Sequence, residues 1–239
     1  MPDYEFLLIA GLAALLGAVV QGSVGLGVGL VATPIVTMLF PSLMPGTILV
    51  LSVFLPLATL AQEVDHADLR GIGWAFGGRL AGTPFGVLLV AAVPTRALGI
   101  VIGVFVLGAL AATGWSREVP RNRRTLTAAG IISGTAGTAS GIGGPPVALL
   151  YQRESGPRVR ATLAVFFSAS ALLSLSALAL AGRLPARQVT AGLALLPFVL
   201  AGYLAAGPLR RYVDAGRLRR TLLIVVGTSA LILIVRNLG

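Results

Sequence analysis

Apolar residues run along the chain in blocks long enough to cross a lipid bilayer, near residues 46–62, 72–92, 97–113, 161–181, 189–207 and 221–235. A helical crossing takes about 20 residues, with about 17 at the lower end. The block 221–235 is short, so its ends are expected to extend into the flanking loop. Two further apolar stretches are interrupted. Residues 5–40 hold a long apolar run, then Gln21-Gly22-Ser23-Val24-Gly25-Leu26-Gly27-Val28-Gly29, then a shorter run ending at Phe40-Pro41. Residues 126–151 repeat the plan, with Gly134, Gly137 and Ser140-Gly141-Ile142-Gly143-Gly144-Pro145-Pro146 at the interruption. Glycine and proline disfavour a continuous helix by roughly 1 and 3 kcal/mol per residue. Each half of these stretches is therefore expected to be too short to cross comfortably.

Composition agrees with that pattern. Of 239 residues, 56% are apolar and 11% charged, against roughly 25% charged in an average soluble chain. Such a chain cannot cover a water-facing surface, and an all-α polytopic membrane protein is predicted. All 18 basic residues are arginine. The absence of lysine excludes a P-loop lysine, a Schiff base and a lysine general base. The absence of cysteine excludes disulfides and thiolate chemistry, and one histidine, His66, cannot build a His-rich metal site. No cofactor and no metal are expected. The N-terminus is acidic ahead of its apolar run, which reads as a retained membrane segment.

The arginines decide the topology. If each interrupted stretch were a single crossing, the loops would place 8 arginines on one side and 9 on the other. If each is a hairpin returning to its own side, the division becomes 13 against 4, with Arg79 inside a span. The thirteen are Arg70, Arg117, Arg121, Arg123, Arg124, Arg153, Arg158, Arg160, Arg210, Arg211, Arg217, Arg219 and Arg220; the four are Arg96, Arg183, Arg187 and Arg236. The positive-inside bias selects the hairpins. Trp74 and Trp115 then lie at the cytoplasmic interface and both termini face outward. Two full crossings per stretch would give the same parity.

Three crossings plus a hairpin is an odd number of crossings, so the two halves face opposite ways. They are also related in sequence. Gly27-Val28-Gly29 matches Gly141-Ile142-Gly143, Pro84-Phe85 matches Pro197-Phe198, and Pro94 matches Pro208. The expected organisation is a first repeat at 1–113, a basic cytoplasmic linker at 114–125, and a second, inverted repeat at 126–239. Each repeat carries a Gly/Pro-broken helical hairpin plus three transmembrane helices. Inverted repeats with broken helices at matching places mark secondary transporters.

On these glycine-rich motifs, each followed by proline, the chain resembles the sulfite exporter TauE/SafE family over essentially its whole length. Gly22, Gly25, Gly27, Gly29 and Pro34 carry the resemblance in one half; Gly134, Gly137, Gly141, Gly143, Gly144, Pro145 and Pro146 carry it in the other. The first copy departs from the family pattern where Val28 and Leu30 interrupt the glycines. The resemblance implies a bacterial inner-membrane protein that moves sulfite, sulfonates or related small anions.

A broken helix exposes the unpaired N–H groups of its downstream half, and its dipole attracts anions. The candidate binding residues are Gln21, Ser23, Gly25, Gly27 and Gly29 in one half, and Ser140, Gly141, Gly143 and Gly144 in the other. The alternative is that the glycines only permit tight helix crossing. Arg79 is the one charge deep in a span. It either pairs with a transported anion or gates its exit, or else snorkels to the interface or caps a carbonyl. Gly73, Gly77, Gly78, Gly82 and Gly86, with Gly99 and Gly103, read as close-packing faces. Glu63, Asp65, His66, Asp68 and Arg70 read as a solvated loop, with proton coupling the alternative. Gly27-x-Gly29-x-x-Ala32 has no strand before it, and Ser140-Gly141 has no partner histidine, so neither dinucleotide binding nor serine catalysis is expected.

The expected partners are a small anionic substrate and the lipid bilayer, with no nucleic acid and a homo-oligomer left open. An inside-negative potential favours outward movement of a monovalent anion by about 2.3 kcal/mol per 100 mV, which points to export. Ion-coupled uptake and an anion channel are the competing readings. The topology is testable directly: a reporter fused to the C-terminus should read extracytoplasmic, and a cytoplasmic signal would overturn the arginine argument.

Overall fold

The computed structural model describes residues 4–25, 27–114, 119–209 and 215–238. Among them the regular structure is helical throughout. The first half contains α1 (Tyr4–Val24), α2 (Val28–Leu39), α3 (Gly46–Glu63), α4 (Leu69–Ala92) and α5 (Thr95–Gly114). The second contains α6 (Arg123–Ser140), α7 (Gly144–Tyr151), α8 (Gly156–Leu180), α9 (Ala186–Leu209) and α10 (Ala215–Leu238). Trp115, Arg117, Arg210 and Arg211, which the topology argument used, lie outside the described residues.

Local chemistry sets the helix ends. Asn122 opens α6 with a reciprocal cap, its side chain accepting the Thr125 N–H while Thr125 accepts the Asn122 N–H, both at 3.0 Å. The second break follows Gly141, which closes α6 in the left-handed region at φ 77°. Pro145 and Pro146 sit in the first turn of α7, where a missing N–H costs no intrahelical bond.

Among the described residues, five helical segments are long and apolar enough to cross a membrane: Tyr4–Gly22, Gly46–His66, Leu69–Ala92, Gly156–Leu180 and Ala186–Gly207. The first of these corrects an expectation. α1 is not a half-length limb; its 21 residues span about 31 Å at 1.5 Å per residue. Gly22 does not break it, because that glycine is seated against Ala206 and Tyr203 of α9 and tertiary contact outweighs a propensity cost of about 1 kcal/mol. Gly134 and Gly137 likewise lie inside α6, not in its break. The short limbs are α2, with 12 residues, and α7, with 8.

Both interrupted segments return to the side they start from. The Phe6 and Phe40 rings meet edge-on at 5.1 Å, joining the start of α1 to the end of α2. Arg236 donates to the Met38 carbonyl at 3.0 Å and Arg96 to the Asn237 carbonyl at 3.1 Å at the same end. At the opposite end Tyr151, closing α7, donates to Asp68 at 2.9 Å. Arg121 pairs there with Glu154 at 2.6 Å, Arg160 pairs with Glu63, and the Arg123 guanidinium lies 5.0 Å from the Trp74 ring. The bundle thus has one arginine-rich end and one arginine-poor end. The Glu63–Arg70 loop is correspondingly an ion-paired joint, since Glu63 and Asp68 both hold residues of the second half.

Helices pair across the halves: α4 with α6, α1 with α9, α3 with α8, and α5 with α10. The α4–α6 crossing is close enough to exclude side chains. A Cβ on Gly78, Gly82 or Gly130 would fall within 2.0–2.2 Å of a carbonyl oxygen on the facing helix. Gly86 joins that face, and Gly99 and Gly103 meet α10, whereas Gly73 and Gly77 face open space. Only part of the predicted glycine face therefore packs, because a four-residue spacing does not say which stripe of a helix is buried.

Asp68 ties the basic end together. One carboxylate oxygen caps α4 by accepting the Gly71 N–H at 3.0 Å, and the other accepts from Tyr151. Burial alone would raise its pKa. The Gly71 and Tyr151 donors and the charges of Arg121 and Arg158 outweigh it and hold the group below 3.8. Its folded-state pKa is depressed, so its contribution is complete above the ordinary carboxylate range and is lost as pH falls through the lower folded value. Asp68→Asn should reduce stability at pH 7 by about 1–2 kcal/mol, read as a lower unfolding temperature in detergent. The gap from the parent should narrow below about pH 4, and equal unfolding temperatures at pH 7 would contradict this role.

Candidate functional site

Both short limbs begin in the interior of the bundle. A Cβ on Gly27 would lie 2.7 Å from the Gly17 carbonyl oxygen and the Gln21 nitrogen, so α2 starts level with the second half of α1. A Cβ on Gly143 would lie 2.8 Å from the Ser133 hydroxyl, so α7 starts level with the middle of α6. The two breaks touch. A Cβ on Gly29 would come 2.9 Å from the Gly141 oxygen, and the Thr33 hydroxyl donates to the Ser140 carbonyl at 3.2 Å.

Between them lies a cavity of about 50 Å³. A single water needs roughly 10–15 Å³ on the same measure, so the space suits a few waters or a small anion. Gln21, Gly27, Gly29, Arg79, Gly141, Gly143 and Gly144 line it together. The remaining candidates sit elsewhere. Gly25 forms the turn after α1 at φ 93°, against Arg160. Ser140 is fully buried; its hydroxyl donates to the Ala136 carbonyl at 2.7 Å and accepts the Ile142 N–H at 3.1 Å, a local cap behind the cavity. The Ser23 side chain lies outside the described part of the structure.

Arg79 is 2% exposed and does not snorkel to either end. One terminal nitrogen donates to both the carbonyl and the hydroxyl of Ser133 at 2.8 Å. The other donates to the Ser174 hydroxyl at 2.9 Å and the Ser170 carbonyl at 3.3 Å. The guanidinium lies 5.7 Å from the centre of the Phe166 ring. Its Nε has no partner among the described residues, and neither does the buried Ser170 hydroxyl. Among the described residues no carboxylate comes within ion-pair distance of it. The cation is thus fixed by neutral acceptors from α6 and α8 and keeps unspent donor capacity.

The helix starts add partial positive charge. The first-turn N–H groups of Gly29 and Gly144 have no intrahelical carbonyl to meet. The Val28 N–H is met instead by the Gln21 side chain at 3.0 Å. Sequence reasoning missed the contribution of α3 and α8, which supply Leu49, Ser52, Phe167, Ser170 and Ala171 to the lining. The available signal was the serine series Ser168, Ser170, Ser174 and Ser176 in an otherwise apolar span.

No curated protein and no solved structure matches the chain. Residues 9–233 match the family model described as "Sulfite exporter TauE/SafE". An all-helical membrane bundle with two broken helices around a small cavity is thereby joined to a match over nearly the full chain: the protein belongs to the TauE/SafE family, whose membership implies a membrane transporter of sulfite or related sulfur anions.

Proposed function

We propose that the protein exports a small organosulfur anion such as sulfite or a sulfonate, bound in the interior cavity between the starts of α2 and α7. The observation that carries this reading is Arg79. An uncompensated buried charge costs several kcal/mol even after relaxation. Neutral hydrogen bonds from Ser133, Ser170 and Ser174 offset part of that cost, and a bound anion supplies the missing counter-charge. Intramembrane ionisable residues facing a cavity mark substrate pathways.

Alternating access is supported by the packing pattern. Exchanging α1–α5 for α6–α10 turns the α4–α6 pair into α9–α1, turns α2–α10 into α7–α5, and returns α3–α8 and α5–α10 to themselves; all of these pairs are in contact. The broken segments return to opposite ends, as two inverted repeats require. The arginine-rich end is assigned to the cytoplasm by the positive-inside bias, which puts both termini outside a bacterial inner membrane. Among the described residues none that lines the cavity is Asp, Glu or His, so they offer no proton relay there. Downhill movement of an anion toward the positive side needs none.

Flux in proteoliposomes tests the reading. Sulfite movement should saturate and should accelerate when the potential favours anion exit. Arg79→Gln should lower flux at subsaturating sulfite by at least about tenfold, the loss of one charge-assisted interaction worth roughly 1.5–3 kcal/mol. Flux that stays linear at high sulfite would indicate a channel, and flux that requires an added cation would indicate coupled uptake. Unchanged flux in Arg79→Gln would remove Arg79 from the pathway.

A further inference from the structure

Gln21 borders the cavity near the end of α1 and is 7% exposed. Its Oε1 accepts the Val28 N–H, the first N–H of α2, at 3.0 Å. An N–H can be met only by the oxygen of an amide, so this bond fixes which way the amide is turned. The Nε2 group is left with no acceptor among the described residues. The equivalent service in the second half is performed differently. There the Ser140 hydroxyl caps the Ile142 N–H and is buried away from the cavity.

The choice of an amide at this place has a cost. A carboxylate of the same size would cap Val28 more strongly, because an ionised acceptor at a helix N-terminus gains from both the hydrogen bond and the dipole. It would also put a negative charge on the cavity that Arg79 lines. A buried carboxylate carries its own desolvation cost, and the sequence carries glutamine, which caps without charge. Arg79, Gly29, Gly144 and Gln21 all line the cavity and each carries an N–H donor. Among the described residues its lining has no carboxylate to meet an ammonium group.

We infer that Gln21 is a specificity-determining residue: it caps α2 without charge, turns its NH₂ group to the ligand, and so keeps the site selective for an anion that bears no positive group. This inference rests on the anion-site reading and deepens it. It excludes zwitterions such as aminosulfonates from a cavity that would accept the corresponding simple sulfonate.

The test uses the full-length purified protein and methanesulfonate, a small anion that stays ionised across the working pH range. Gln21→Glu keeps an acceptor for the Val28 N–H and should still fold. At pH 7.5 its affinity for methanesulfonate, measured by titration calorimetry, should fall at least tenfold. Affinity should recover as the pH is lowered and the new carboxylate takes up a proton, a response that a merely structural role would not produce. If Gln21→Glu does not accumulate, Gln21→Leu serves: it removes the donor without adding charge and should weaken binding severalfold while lowering the unfolding temperature. Parent-like affinity in the folded variant, or parent protein that binds taurine as tightly as methanesulfonate, would overturn the inference. Folded parent protein that binds neither methanesulfonate nor sulfite would instead overturn the anion site itself.

Discussion

A backbone that breaks inside a bilayer must find partners for its N–H and C=O groups within the protein, because lipid offers none. The structure meets this constraint twice, between α1 and α2 and between α6 and α7, and much of its architecture follows. Gln21 and Ser140 supply side-chain acceptors to the loosened turns. Thr33 ties one break to the other through the Ser140 carbonyl. The remaining first-turn donors are left around a small cavity and not against lipid. Each break is enclosed because a longer limb, α1 or α6, runs beside the short limb and is itself held by a long helix of the other half.

That enclosure depends on glycine. The α4–α6 crossing brings backbone against backbone through Gly78, Gly82 and Gly130, and this proximity lets Arg79 reach Ser133 from the neighbouring helix. The same arrangement leaves little slack around the guanidinium, since a Cβ on Gly137 or Gly143 would lie 2.6–3.0 Å from its terminal nitrogens. The charge is accordingly positioned by the fold before any ligand arrives. Preorganised donors in a water-poor site are worth more than the same donors in water. The two halves pair their helices in a matching pattern and differ in the side chains they add. One half contributes Arg79 on α4, while α9 carries no charge beyond Arg187 in its first turn. Gln21 in turn has a smaller, buried counterpart in Ser140.

Much of this was legible from residue order. Glycine and proline runs located the breaks because their backbone preferences act locally, and the uneven arginines required each interrupted stretch to return to its own side. Tertiary contact hid the rest. Gln21-Gly22-Ser23 reads as the start of a break, yet α1 continues through it against α9 and reaches membrane-spanning length. Ser140 reads as a ligand group beside its glycines, but its hydroxyl is spent on its own helix and the Ile142 N–H. The serines of α8 are unremarkable in an apolar span until α4 brings a guanidinium to them. Gly73 and Gly78 cannot be told apart by spacing, since only packing decides which face of α4 is covered.

The central claim is that a small anion occupies the cavity where α2 and α7 begin, beside Arg79. Selenite resembles sulfite in shape and charge and scatters anomalously. Crystals of the protein grown with selenite should give an anomalous peak within hydrogen-bond reach of the Arg79 guanidinium and the Gly29 and Gly144 N–H groups. A peak confined to the arginine-rich end of the bundle, with the cavity empty at saturating selenite, would contradict the account.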